Sequence, residues 1–324
     1  MKKHIYIYSP SSTVRDKASF KRGVKHLVDM GHEVEIDEAA LAKHQRFAGD
    51  DATRISAIHR AAASGADIAL ISRGGYGLTR ILAAINYRAL AKAAANGMKF
   101  VGLSDFTALQ MALLAKTGAV SWAGPALGED FGSQQPVNDI MQACFDDLVT
   151  GQGEGTGWRL PKPDSKFAPD LIAGYASKYW AEGQLELNNA LLWGGNLTVL
   201  TALVGTPYFP AAASIKGGIL FIEDVGEHPY KVERMLTQLL HAGALAQQKA
   251  IIFGQFTKFS LVAGYDSGFN IASVAARLQS QVKALVLRGL PFGHVATKVL
   301  LPVGAKVTLA VEGRDALVLW GDLN

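Results

Sequence analysis

Short apolar runs alternate with amphipathic helical stretches through the first 150 residues, and this alternation restricts the fold more than any other property of the chain. Residues 5–8 form a strand-like run that ends in Ser9-Pro10-Ser11-Ser12. A helical pattern follows, with Phe20, Val24, Leu27 and Val28 expected on one face and Gly31 as its stop. Residues 34–36 read as a second strand and 52–63 as a second amphipathic helix. Further strands are expected at 68–71, 100–103 and 120–122, with helices between them. Strands separated by helices of this length can pair in parallel, which predicts an α/β sheet covered on both faces. In such sheets ligands bind beyond the carboxyl ends of the strands. Ser9, Arg73 and Ser104 fall at those ends.

The pattern breaks at 150–170, a Gly-rich, Pro-containing stretch without period, where an inter-domain linker is expected. The expected division is 1–150 for an N-terminal α/β domain, 151–182 for the linker and 183–324 for a smaller, β-rich C-terminal domain. With 324 residues, 49% apolar and only 19% charged, the chain can fill two cores. In the second half, strands are expected at 183–187, 219–222, 250–253 and 284–287. Helices are expected from about Asn196 and over 230–242 and 271–282, and the tail reads as antiparallel strands.

Composition removes several function classes. Basic residues are dispersed and the net charge is only +4, so the clustered basic stripe of a nucleic-acid binder is missing. No apolar run approaches the ~18 residues of a membrane span, and the run after Met1-Lys2-Lys3 reaches Pro10 too soon for a secretory leader. The single cysteine, Cys144, lies in a helical stretch and reads as a core residue. Together these features lead us to expect a cytoplasmic protein.

Three dispersed stretches carry candidate chemistry. Ser104 lies in GLSDFT, where a strand turns into a helix, the placement of a nucleophile elbow without its second glycine. Read alone, Ser104 or Asp105 serves at least as well as a cap for that helix. Of eight histidines, His294 stands apart because it ends an apolar run through Gly289-Leu-Pro-Phe-Gly, and Gly293 lets the backbone bend beside the ring. Glu223 ends the apolar run before it, where a carboxylate needs a partner. An imidazole, an arginine or a helix start would each satisfy it, and Asp224 and Glu227 are rivals. Arg73-Gly74-Gly75-Tyr76-Gly77 could present backbone N–H groups to an oxyanion. It fails as a dinucleotide fingerprint because Arg80 stands where the third glycine belongs. No Walker lysine and no His or Cys pair with metal-ligand spacing is present, so no cofactor and no metal are expected.

Seven motifs in order, SPSS, RFAGDDATR, SRGGYGLTRIL, GLSDFTALQ, LWGGNLTVLTALVGTP, LFIEDVGEHPYKVERMLTQL and GLPFGH, resemble the serine LD-carboxypeptidase family over nearly the whole chain. The resemblance implies a Rossmann-like or flavodoxin-like N-terminal domain, a smaller β-rich C-terminal domain and a homodimer. It implies release of the terminal D-alanine from cytoplasmic murein tetrapeptides during peptidoglycan recycling. Ser104 would be the nucleophile, His294 the general base and Glu223 its orienting carboxylate. The backbone N–H groups of Asp105 and of Gly75, or alternatively Gly74, would form the oxyanion hole. Arg73, Tyr76 and Trp193 are candidate substrate contacts, as are Lys231 and Arg234. Alternatives are a microcin-immunity-type peptidase of the same family and a non-catalytic muropeptide-binding protein.

Overall fold

A computed structural model describes residues 2–162, 180–181, 184–321 and 323. Strands β1 (His4–Tyr8), β2 (Glu33–Ile36), β3 (Ile68–Ile71), β4 (Lys99–Gly102) and β5 (Ser121–Ala123) alternate with helices α1 (Lys17–Asp29), α2 (Asp51–Ala63), α3 (Tyr87–Ala95) and α4 (Thr107–Thr117). All five strands pair in parallel, in the flavodoxin-like order β5-β4-β3-β1-β2. Every residue of β3 and four of five in β1 are buried, because helices cover both faces of the sheet. The Asp16 carboxylate accepts the N–H groups of Ala18 and Ser19 to start α1, and Asp50 accepts that of Thr53 to start α2. One sequence expectation fails in α1: Val28 is half exposed. The buried stripe centres on Phe20, Gly23 and Leu27, and at about 100° per residue Val28 points well to its side.

The remaining strands are β6 (Gly155–Arg159), β7 (Trp180–Ala181), β8 (Gln184–Asn196), β9 (Ile219–Val225), β10 (Ala250–Thr257), β11 (Leu285–Arg288), β12 (Leu301–Val303), β13 (Lys306–Glu312) and β14 (Asp315–Leu319). A second sheet runs β11-β10-β9-β8-β13-β14-β6, with β7 paired to β8. Strands β8 to β11 are parallel, whereas β13, β14 and β6 are antiparallel. The stretch expected to be a linker, 151–182, is therefore not irregular throughout, since 155–159 adds an edge strand to the second sheet. Its residues 163–179 and 182 lie outside the described residues.

Two further departures bear on the site. Strand β9 continues past Glu223 to Val225, so Glu223 is an interior strand residue rather than the end of one. One strand of the tail leaves the second sheet: β12 pairs antiparallel with β5 of the first, while β13 and β14 remain in the second. Residues 289–300 thus cross from one sheet to the other, and His294 lies on the crossing. Cys144 sits half buried in the helix Asp139–Thr150, and burial pushes its thiol pKa up, away from the reactive thiolate. Among the described residues no helix is long and apolar enough to cross a membrane.

Candidate active site

Where β4 gives way to α4, Ser104 adopts φ +63°, the left-handed region that a non-glycine residue occupies at a cost of about 1–3 kcal/mol. Surrounding structure must hold it there, and it does so through Asp105 and Phe106, both buried in the short 3-10 turn that leads into the helix. Neither Ser104 nor Asp105 caps that helix through its side chain. The Asp105 carboxylate instead accepts Ser11 Oγ at 2.7 Å and the Leu78 N–H at 2.9 Å, tying the elbow to the SPSS and RGGYG loops. Burial raises the Asp105 pKa against these bonds, which favour its ionised form. Ser104 Oγ has no hydrogen-bond partner among the described residues.

The RGGYG loop lies directly on the serine. A methyl group at Gly74 would fall 2.7 Å from Ser104 Cβ and 2.9 Å from Oγ, so only glycine permits this approach. Among the described residues no other hydrogen bond uses the N–H of Gly74 or Gly75, while Ser12 Oγ accepts the Tyr76 N–H at 3.0 Å and fixes the loop. Arg54 supplies a second brace. Its side chain is fully buried and Nη1 donates to Gly77 O at 2.8 Å and Pro10 O at 3.3 Å, with the guanidinium 4.7 Å from the Phe47 ring. The RFAGDDATR motif therefore holds two site loops together, a role its sequence did not disclose.

On the other side, Glu223 is completely buried and its Oε2 accepts His294 Nδ1 at 2.8 Å. That bond places the ring proton on Nδ1 and leaves Nε2 as the basic nitrogen of the neutral imidazole. Burial opposes protonation of His294, but the bond and charge of Glu223 outweigh it, Glu129 adds to them, and the pKa is raised overall. Gly293, at φ +135°, presses on Glu223 so closely that a methyl group would lie 3.1 Å from both Glu223 Cβ and Oε2. The His294 loop is pinned further by a register shift in β10, where the Gln255 N–H donates to Phe292 O at 2.8 Å instead of to β9.

Nucleophile candidate and dyad are joined by one residue that the sequence marked only as a helix start. The Asn196 N–H donates to Thr107 Oγ1 at 3.0 Å, three residues after Ser104, and its Nδ2 donates to Glu223 Oε1 at 3.2 Å and to Asp224 Oδ1 at 3.0 Å. Its Oδ1 meanwhile caps the following helix at Val199. Asp224, the rival to Glu223, is spent on Asn196, Thr198 and its own neighbour Val225, and burial raises its pKa. Glu227 pairs with Lys231.

Two more ties bind the His294 loop to the first sheet. Lys298 Nζ donates to Asp130 Oδ1 at 2.7 Å with both side chains almost fully buried, and Asn138 Nδ2 donates to Thr297 Oγ1 at 3.2 Å. Asp130 belongs to a π-helical turn, Leu127–Phe131, that also carries the exposed Glu129. No sequence motif marked this turn.

The candidate substrate contacts separate. Arg73 is half buried, with Nη1 donating to Thr13 O at 3.1 Å; burial lowers its pKa and the charge of Glu129 works the other way. Tyr76 is exposed beside Phe47 and Arg46. Trp193 must be withdrawn: it is fully buried in β8, its indole N–H donates to Gln248 at 3.0 Å, and it offers no surface to a ligand. Arg234 lies over the ring of Tyr230 on the helix Pro229–His241. Among the described residues no group of three or more His, Cys, Asp or Glu side chains is arranged to hold a metal ion.

Comparison with known proteins shows what the chain as a whole is similar to. Residues 5–124 match the LD-carboxypeptidase N-terminal domain and 189–309 the LD-carboxypeptidase C-terminal domain. A Bacillus subtilis protein described as a probable murein peptide carboxypeptidase is 29% identical, with 91% of this chain and 85% of that one aligned. The crystal structure of muramoyltetrapeptide carboxypeptidase from Oxalobacter formigenes superposes with a TM-score of 0.81 at 37% identity, covering 98% of this chain and 99% of the other. The microcin C7 self-immunity protein MccF of Escherichia coli is 27% identical over 75% of this chain and 70% of its own. Its complex with aspartyl sulfamoyl adenosine superposes with a TM-score of 0.81 at 25% identity, covering 99% and 97%.

Proposed function

Since this chain belongs to the LD-carboxypeptidase family, a family of serine peptidases, we propose that it releases the terminal D-alanine from murein tetrapeptides in the cytoplasm, in peptidoglycan recycling. The observation that carries the mechanism is the 2.8 Å bond from His294 Nδ1 to buried Glu223, which orients a basic Nε2 in a chain whose Ser104 is held on a strained bend.

In this mechanism Ser104 Oγ attacks the carbonyl carbon before D-alanine while His294 Nε2 takes its proton. The developing oxyanion is met by the N–H groups of Asp105 and of Gly74 or Gly75, and Glu223 stabilises the imidazolium. As the tetrahedral intermediate collapses, the C–N bond breaks and His294 gives the proton to the departing amine. Water, deprotonated by His294, then attacks the acyl ester, and Ser104 recovers its proton as the ester bond breaks. Arg73, a guanidinium with no carboxylate within ion-pair distance among the described residues, suits the free carboxylate that defines a carboxypeptidase substrate. Family likeness also supports a homodimer.

Incubation with UDP-MurNAc-tetrapeptide is expected to liberate free D-alanine, and Ser104→Ala to abolish release while melting like the parent. Undiminished turnover in that variant would remove Ser104 from the mechanism. MccF-like chemistry is the second reading, favoured by the equal TM-score. Hydrolysis of an aminoacyl sulfamoyl adenosine in preference to the tetrapeptide would establish it. Labelling of Ser104 by a fluorophosphonate, lost on heat denaturation, would exclude a purely binding role.

A further inference from the structure

Glu129 carries a charge that the proposed mechanism leaves unused. It is exposed, and it makes no hydrogen bond or ion pair among the described residues. Its position is nevertheless firmly set. On one side, the Gly128 N–H donates to Ser72 O at 3.0 Å, next to Arg73, and Gly128 O accepts Ser19 Oγ. On the other, Asp130 is locked to Lys298, four residues beyond His294. The π-helical turn thus places Glu129 between the segment that leads into Arg73 and the segment that carries His294, and its charge favours the protonated form of both groups. Extra-wide helical turns of this kind recur at functional sites because they push one side chain out of the regular row. A surface carboxylate with no work to do would not need both neighbours anchored in the interior.

Murein stem peptides carry a diamino acid immediately before the terminal D-alanine, so a second, side-chain ammonium accompanies the scissile carbonyl into the site. We propose that Glu129 is a specificity residue that binds this side-chain ammonium, while Arg73 takes the terminal carboxylate. The inference rests on the carboxypeptidase reading and deepens it. Cation and anion at the two ends of one substrate residue pair would meet an anion and a cation across the site. This fixes the direction in which the peptide lies and rejects stems with a neutral third residue.

The test compares two synthetic tetrapeptides, L-Ala-γ-D-Glu-L-Lys-D-Ala with its lysine side chain free and the same peptide Nε-acetylated, on the parent chain and on Glu129→Gln. The parent should prefer the free amine in kcat/KM by about two- to fivefold, the scale of one exposed charge pair. In Glu129→Gln that ratio should fall to near one, with the loss appearing in KM. Glu129→Asp should retain part of the preference. Any effect of Glu129 exerted through His294 moves both substrates equally and cancels in the ratio. An unchanged ratio in the variant, or a parent that does not distinguish the two peptides, would overturn the inference and leave the carboxypeptidase reading intact. Absence of D-alanine release from both peptides and from UDP-MurNAc-tetrapeptide would refute the parent reading, and this inference with it.

Discussion

Replacing Lys298 by methionine tests whether the crossing segment is held by a buried ion pair or only by its backbone. Lys298 Nζ lies 2.7 Å from Asp130 Oδ1, with side-chain exposures of 2% and 4%. The second Asp130 oxygen accepts only the Ala126 N–H at 2.8 Å. Removing the ammonium leaves a carboxylate in the interior with one donor, and breaking a buried pair from one side costs about 3–5 kcal/mol. For a chain of this length, at the low end of ~2–4 °C per kcal/mol, melting should fall by roughly 6–10 °C. Lys298→Met combined with Asp130→Asn removes both charges and should recover most of that loss. Urea unfolding followed by tryptophan fluorescence measures the four corners of the cycle. Turnover should fall at least ~10-fold in the single variant, because His294 sits four residues away on the same segment and small displacements of a catalytic group are costly. A single-variant cost below about 1 kcal/mol, or a double variant as unstable as the sum of the singles, would refute the ion pair as the tie.

Three other outcomes follow from the same geometry. Gly74→Ala forces a methyl group against Ser104 and should lower kcat about 100-fold or more by displacing the serine and this loop from each other; near-parental kcat would show that the close approach of the loop does not matter to Ser104. Glu223→Gln removes the bond and charge that raise the His294 pKa. The acid limb of kcat/KM should therefore move to lower pH while the plateau drops by about three to four orders of magnitude. Because His294 binds its proton more tightly folded than unfolded, the pair's contribution to stability is full below the ordinary histidine value of about 6.5 and is lost as pH rises through the raised one. Glu223→Gln should accordingly be more destabilising in acid than at pH 8, and the opposite trend in thermal melts would contradict the assignment. Asp37 is buried, which alone would raise its pKa, but bonds from Arg60, Tyr6 and the Ala39 N–H lower it overall. Asp37→Asn should cost about 2 kcal/mol at pH 7, with the gap from the parent closing as pH falls through the lowered pKa. A gap that persists at pH 2 would point to lost shape rather than lost charge.

Local pattern carried a large part of this protein. The parallel sheet of the first half was legible because β1 and β3 are apolar on both faces and Gly31 marks the end of the first helix, both short-range signals. Ser104, Glu223 and His294 stood out as candidates because each follows an apolar run in the sequence, although Glu223 proves to lie inside its strand. Trp193 misled because no local signal separated a binding aromatic from a core one, and only its burial in β8 shows it as core. Asn196 was legible only as a helix start, and Lys298 and Asp130 carried no local signal, since their partners in the site lie 27 to 168 positions away; the partner proposed for Glu129 lies outside the chain.

What the amino-acid order determined alone was therefore most of the elements and the types of candidate groups, because backbone propensity and polarity act over a few residues. Which groups meet was decided by the crossing of residues 289–300 from the second sheet to the first. That path is set by long-range strand pairing and by one buried ion pair, whose energies depend on neighbours distant in sequence and so cannot be read from any single stretch of it.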